Sequence, residues 1–198
     1  MDKRTFLQAA CGIPALAALA PASAAPGRTA SPLLLTVSGD IGKPNRGASD
    51  GALDQLMHKH GIAFRQARTF SFAELGAMAA TTIRPTLEYD ARRHTLRGPA
   101  LTRVLEVAGA MKTDRHRVVL RALDGYAVEL TLAETRSRGM IVATTLDGAP
   151  LPLGGLGPLW AICDADRLPE LASRPLASRF AQCPWGVYSI QLLDPANS

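Results

Sequence analysis

Asp124 and Gly125 stand between two apolar runs, RVVLRAL over residues 117–123 and YAVELTL over 126–132, and that placement constrains the chain more than any other feature in it. An Asp-Gly pair accepts the positive φ values that tight hairpin turns demand, so the flanking runs are expected to pair as antiparallel strands. A second pair, Asp147-Gly148, closes the run GMIVATTL over 139–146, which reads as one buried strand. LLLTVSG over 33–39 and GVYSIQLL over 186–193 read as further strands, the latter with Val187, Ser189 and Gln191 on one side and Tyr188, Ile190 and Leu192 on the other. IAFRQARTF over 62–70 alternates only loosely.

Helical signals are interspersed among these strands. Leu101, Val104, Leu105 and Ala108 recur at helical spacing, with Pro99 before them and Gly109 after. Ser71 and Glu74 have the spacing of a capping box, which predicts a helix with Phe72, Leu75 and Met78 facing inward. Asp50 is placed to cap a short helix carrying Leu53, Leu56 and Met57 and ending at Gly61. TTIRPTLEYD and RHTLRG flank the polar turn Ala91-Arg92-Arg93 and predict a hairpin. Strands and helices alternate without a regular βαβ rhythm, so the expected class is α+β with a mixed sheet.

The amino terminus points to export. Asp2, Lys3 and Arg4 precede a nearly uncharged run from Thr5 to Ala25, and Ala22-Ser23-Ala24 offers the small residues of a cleavage site. Residues 1–24 are therefore expected to be a signal peptide, 25–32 a linker, and 33–198 a single domain that is periplasmic or secreted. Gly12, Pro14 and Pro21 interrupt the run, which argues against a stable membrane span; Cys11 falls within the signal's apolar core. KRTFLQ over 3–8 approximates a twin-arginine export signal, with Lys3-Arg4 in place of the arginine pair.

The net charge is +5, and loss of Asp2, Lys3 and Arg4 lowers it by one unit. The charges are dispersed, and the basic cluster Arg92-Arg93-His94 lacks interleaved aromatics, so nucleic acid is not an expected partner. Cys163 and Cys183 remain after cleavage, and in an oxidising compartment they either form a disulfide or persist as two buried thiols. His58 and His60 are two apart and fall on different helix faces; His94 and His116 read as isolated surface or hairpin residues. Asp147, Asp164, Asp166 and Glu170 are either a loose oxygen cluster for a cation or solvated loop caps. Arg84, Arg121 and Arg179 are candidates to meet an anion if the strands converge, and Trp160 and Trp185 are either walls for a planar ligand or core anchors.

From about Phe70 to Leu193 the ordered set TLRGPALTRVLEVAGA, RALDGYAVELTLAE, MIVATTLDGAPL and GLGPLWAICDAD resembles the molybdopterin-binding domain of the sulfite oxidase family. The resemblance implies a mixed-sheet sulfite-oxidase-type molybdopterin-binding fold. It implies a pocket shaped by Asp124 and Tyr126, floored by Gly157 and Pro158, with Trp160 beside it. The family's enzymes place a cysteine thiolate on the metal, at a position that falls nearest Pro85 or Thr86 here. They also carry an arginine where this chain has Trp160, and a pterin-phosphate loop where it has RLPELASRPLASRFAQCPWG. A thiolate is the soft ligand that holds and tunes such a metal, and neither proline nor threonine replaces it. No catalytic or metal-ligating residue carries over. The chain is thus similar to small exported proteins sharing this reduced pattern, which implies a small-ligand or partner-binding accessory protein. Its expected partner is a membrane sensor or a redox protein, with molybdopterin-dependent redox chemistry as the alternative.

Overall fold

The structure, a computed structural model, describes residues 31–110 and 113–194. The expected signal peptide and most of the expected linker lie outside the described residues. In chain order the elements are β1 (Leu33–Gly39), α1 (Gln55–Lys59), β2 (Ala67–Ser71), α2 (Phe72–Ala77), β3 (Ala80–Ile83), β4 (Leu96–Pro99), α3 (Leu101–Val107), β5 (Arg117–Ala122), β6 (Ala127–Thr131), α4 (Leu132–Ser137), β7 (Ile141–Ala143), β8 (Thr145–Leu146), β9 (Ala149–Pro150), β10 (Trp160–Ile162), α5 (Pro169–Ala172) and β11 (Val187–Leu193). The class is mixed α+β.

A five-stranded sheet in the order β2-β1-β11-β5-β6 forms the frame. β11 lies at its centre, parallel to β1 and antiparallel to β5, which makes the sheet mixed. Gly39 at the end of β1 has φ of +91°, and a Cβ there would lie 2.0 Å from the Leu192 carbonyl oxygen, so only glycine permits this close approach. β3-β4-β8-β9 form a second sheet, and β7 and β10 pair separately. Gly98 in β4 passes so near β7 that a Cβ would sit 1.9 Å from the Val142 carbonyl oxygen. The largest apolar cluster draws on all three sheets and includes Leu35, Phe70, Leu96, Leu120, Ile141, Trp160 and Ile190.

Local chemistry sets the helix starts. The Ser71 hydroxyl accepts from Glu74 N, and the Glu74 carboxylate accepts from Ser71 N at 2.8 Å, closing the expected capping box. Thr131 and Glu134 build the same device at α4. Leu101, Val104, Leu105 and Ala108 are all buried, as the spacing of α3 predicts. Among the described residues no helix is long and apolar enough to cross a membrane.

Several expectations are corrected. Asp50 caps a turn instead of a helix: its Oδ1 accepts from Ala52 N and Leu53 N, α1 starts only at Gln55, and Leu53 is exposed. The run over 139–146 is two strands, because Thr144 donates to the Arg97 carbonyl and hands the chain from the β7–β10 pair to the sheet of β4. Asp147 and Gly148, both at positive φ, then form the β8–β9 turn. Tyr188 does not share a face with Ile190 and Leu192. A register irregularity between Val187 and Ser189 re-aims it into a small cluster with Met57 and Ile62.

Candidate functional site

The β5–β6 turn is tied to a distant stretch of chain. Asp124 Oδ1 accepts from Tyr126 N at 2.9 Å, Leu123 N donates to the Gly186 carbonyl at 3.0 Å, and Tyr126 Oη donates to the Ala181 carbonyl at 2.6 Å. The stretch from Phe180 to Gly186 is in turn stitched to β10. Trp160 Nε1 donates to the Cys183 carbonyl at 2.8 Å, and Ala161 N donates to the Pro184 carbonyl at 3.1 Å. Between the turn and this stretch lies a cavity of about 230 Å³, lined among others by Glu88, Tyr89, Asp124, Tyr126, Phe180 and Trp185.

Three large aromatic side chains stand out as exposed among the described residues, Tyr89 (55%), Tyr126 (50%) and Trp185 (39%), and all three line this cavity. Glu88 and Asp124 are its ionisable lining groups apart from the Cys183 thiol and the two phenols, and no Arg, Lys or His lines it. Burial, reinforced by the adjacent Glu88 carboxylate, pushes the Tyr89 phenol above the ordinary range, so Tyr89 is a neutral hydroxyl at physiological pH.

The sequence-derived candidates divide into layers. Asp124 and Tyr126 line the cavity. Trp160 is fully buried behind it, with its rings 6.4 Å from those of both Tyr89 and Phe180, so it supports the wall from inside. Gly157 and Pro158 are not among the lining residues. A Cβ on Gly157 would lie 2.4 Å from the Leu151 carbonyl oxygen, so the close approach seen at this glycine is to the chain's own backbone. Trp185 is a wall, whereas Glu88, Tyr89 and Phe180 were not marked by any sequence signal, because they reach the site from segments far apart in the chain.

The remaining groups serve separate local roles. Cys163 and Cys183 are both buried free thiols with Sγ atoms 3.9 Å apart. The hydrogen bond between them raises the pKa of Cys183 and lowers that of Cys163. Thr86, with Pro85 one of the two residues nearest the position where the resemblance expects a thiolate, donates both its N–H and its hydroxyl to Asp166 Oδ2 at 2.8 Å, and Arg179 holds Asp166 Oδ1 at 2.9 Å. Asp164 accepts from Arg84 N at 3.3 Å, whereas Asp147 accepts from Thr95 N at 2.8 Å. These acids therefore brace loops instead of converging, and among the described residues no group of three or more His, Cys, Asp or Glu is placed to hold a metal. Arg84, Arg121 and Arg179 do not share the cavity either.

His94 and His116 are not isolated, contrary to expectation. His94 bridges Asp147 at 2.6 Å and Asp90 at 2.9 Å, and these carboxylates raise its pKa while theirs are lowered. His116 is buried with Nε2 2.7 Å from Asp40 Oδ2. His60 Nδ1 lies 2.8 Å from Tyr188 Oη, and His58 is exposed on α1. A larger concavity of about 490 Å³ beside Ser38, Gln66 and Gln191 has less to recommend it, since its ring, Phe64, already has the Arg46 guanidinium over it at 5.3 Å.

No protein-family model matches the chain, and no curated protein matches it. Among solved structures it is similar to the sulfane dehydrogenase SoxCD from Paracoccus pantotrophus, at 11% identity and a TM-score of 0.53. The match covers 82% of this chain and 38% of that one. At this identity the likeness concerns the fold alone.

Proposed function

We propose that the chain is a sulfite-oxidase-type molybdopterin-domain homologue, exported and lacking a molybdenum centre, that binds a small ligand or a partner protein at the cavity between the β5–β6 turn and residues 180–186. The observation that carries this reading is the convergence of Tyr89, Tyr126 and Trp185 on that cavity. Leaving large rings half-exposed forgoes part of the roughly 1.5–3 kcal/mol that full burial of a large apolar side chain brings. Their clustering around a concave site with convergent polar groups is the pattern of a binding pocket.

The residues present do not fit molybdopterin. Of the two residues nearest the expected thiolate, Pro85 has no side-chain ligand to offer and Thr86 is committed to Asp166 through both of its donors. The cavity has carboxylates where an anionic pterin phosphate needs cations, and its volume of about 230 Å³ lies below the roughly 300–1,000 Å³ of sites for drug-sized ligands. The second reading is a molybdopterin-dependent oxidoreductase, with which the likeness in fold to a sulfane dehydrogenase is consistent. On the binding reading the partner is a membrane sensor or a redox protein that meets the cavity face.

Ligand screening followed by Trp185 fluorescence tests the binding reading, with Trp185→Phe removing the reporter and leaving Trp160. The expected result is a saturable change lost in Trp185→Phe. Saturable binding that moves only Trp160, or that persists unaltered when Tyr89 and Tyr126 are truncated to alanine, would place the ligand elsewhere and overturn the assignment.

A further inference from the structure

We infer that the cavity takes a small organic cation, a quaternary ammonium or guanidinium head group held between aromatic walls and two carboxylates. This rests on the binding reading above and supplies its ligand class. Charge, donor supply and size point the same way.

The chain as a whole is basic, at +5, yet the cavity lining carries Glu88 and Asp124 and no cationic side chain. A cluster of acids alone would be a solvated patch. Here the acids are interleaved with Tyr89, Tyr126 and Trp185, whose ring faces attract cations through their quadrupoles, most strongly for Trp. The same rings cover the apolar shoulders of a methylated ammonium or a planar guanidinium, which a bare metal ion would leave uncovered.

Donors for an anion are scarce in the lining. The Tyr126 hydroxyl donates to the Ala181 carbonyl at 2.6 Å, and the Tyr126 N–H is taken by Asp124 Oδ1. The Tyr89 phenol lines the same cavity as the Glu88 carboxylate and the Trp185 indole. Acceptors are in surplus by contrast: a carboxylate offers about four lone-pair sites, and Asp124 uses one oxygen for a single backbone N–H. A ligand that donates, or simply carries positive charge, completes this set; one that accepts does not. The volume of about 230 Å³ suits one head group and excludes a whole dinucleotide or pterin cofactor. The head group comes either from a free small molecule or from an arginine side chain on a partner's surface.

The test titrates the full exported chain with choline, with N-acetyl-arginine amide, with the uncharged choline isostere 3,3-dimethylbutan-1-ol, and with sulfate, by calorimetry and Trp185 fluorescence. At least one of the two cations is expected to saturate the site, with the isostere weaker by about tenfold or more and sulfate unbound. Choline alone indicates a free quaternary amine; the arginine amide alone indicates a side chain. Asp124→Asn keeps the oxygen that accepts from Tyr126 N and removes the charge, so it is expected to weaken the cation about tenfold and leave the isostere unchanged. Equal affinity for choline and its isostere, or saturation by sulfate, would overturn the cation assignment while leaving a ligand pocket in place. Failure of all four probes to bind would overturn the cation assignment, and with it the binding reading if the broader screen also fails at Trp185.

Discussion

Trp160→Phe is the most informative perturbation of the wall that supports the cavity. The indole is fully buried and donates to the Cys183 carbonyl at 2.8 Å. Phenylalanine keeps most of the ring but deletes that donor, leaving a buried carbonyl without its partner at about 1–3 kcal/mol. The space vacated by the second ring adds about 1 kcal/mol. The sum, about 2–4 kcal/mol, should lower the urea midpoint by roughly 1 M with little change in the slope. The variant also leaves Trp185 as the sole tryptophan, so its emission reports on the wall directly. A shift to longer wavelength in the folded protein is expected, because the Cys183–Trp185 stretch loses one of its anchors to β10. An unchanged midpoint with an unchanged Trp185 spectrum would refute the reasoning and mean that the Ala161–Pro184 and Val187–Leu159 backbone bonds hold the wall unaided.

Other perturbations have equally definite outcomes. Gly98→Ala drives a methyl into the Val142 carbonyl, 1.9 Å from the ideal Cβ, and is expected to cost about 3 kcal/mol or more; a wild-type melting temperature would contradict the β4–β7 crossing. Cys163 and Cys183, 20 residues apart with sulfurs 3.9 Å from each other, are expected to lose two protons and two electrons to a disulfide oxidant such as oxidised glutathione and form a bridge worth about 3 kcal/mol. Thiol titration in denaturant after that treatment checks this, and two free thiols would count against it. His94 is stabilised as a cation by Asp90 and Asp147, so its contribution is full below the ordinary imidazole value of about 6.5 and is lost as pH rises through its raised folded value. The two carboxylates, Asp90 lowered chiefly by His94 and Asp147 by the Thr95 N–H and then by His94, contribute above their unfolded values and lose that contribution as pH falls through their folded ones. The stability difference between wild type and His94→Gln should therefore be largest between these limits and shrink towards alkaline pH; a difference independent of pH would show that the bridge carries no charge.

What was legible in the sequence was mostly local. The Asp124-Gly125 hairpin, the Ser71-Glu74 box and the apolar face of α3 each rest on residues a few positions apart, and the structure contains all three. The partition of residues 139–146 between two sheets was not legible, because an apolar run reports burial and not which neighbour supplies it. Asp90, one partner of His94, is four residues away, but its other partner Asp147 and the Asp40 partner of His116 lie 53 and 76 residues away, beyond any periodicity argument. The site was half legible: the hairpin turn marked Asp124 and Tyr126, and Trp185 stood open between a ligand wall and a core anchor, but Glu88 and Tyr89 reach the cavity only through the long loop between β3 and β4. Glycine and proline at 157–158 suggested a close approach, and the one the structure contains at Gly157 is to Leu151.

The measurement that bears most directly on function is molybdenum and pterin content per chain in protein purified from its native host, where cofactor loading is intact. The expected result is molybdenum well below one atom per chain and no pterin released on denaturation, in line with Thr86 bound to Asp166 and an acidic cavity. One molybdenum and one pterin per chain, lost together on unfolding, would contradict the binding reading and return the protein to redox chemistry.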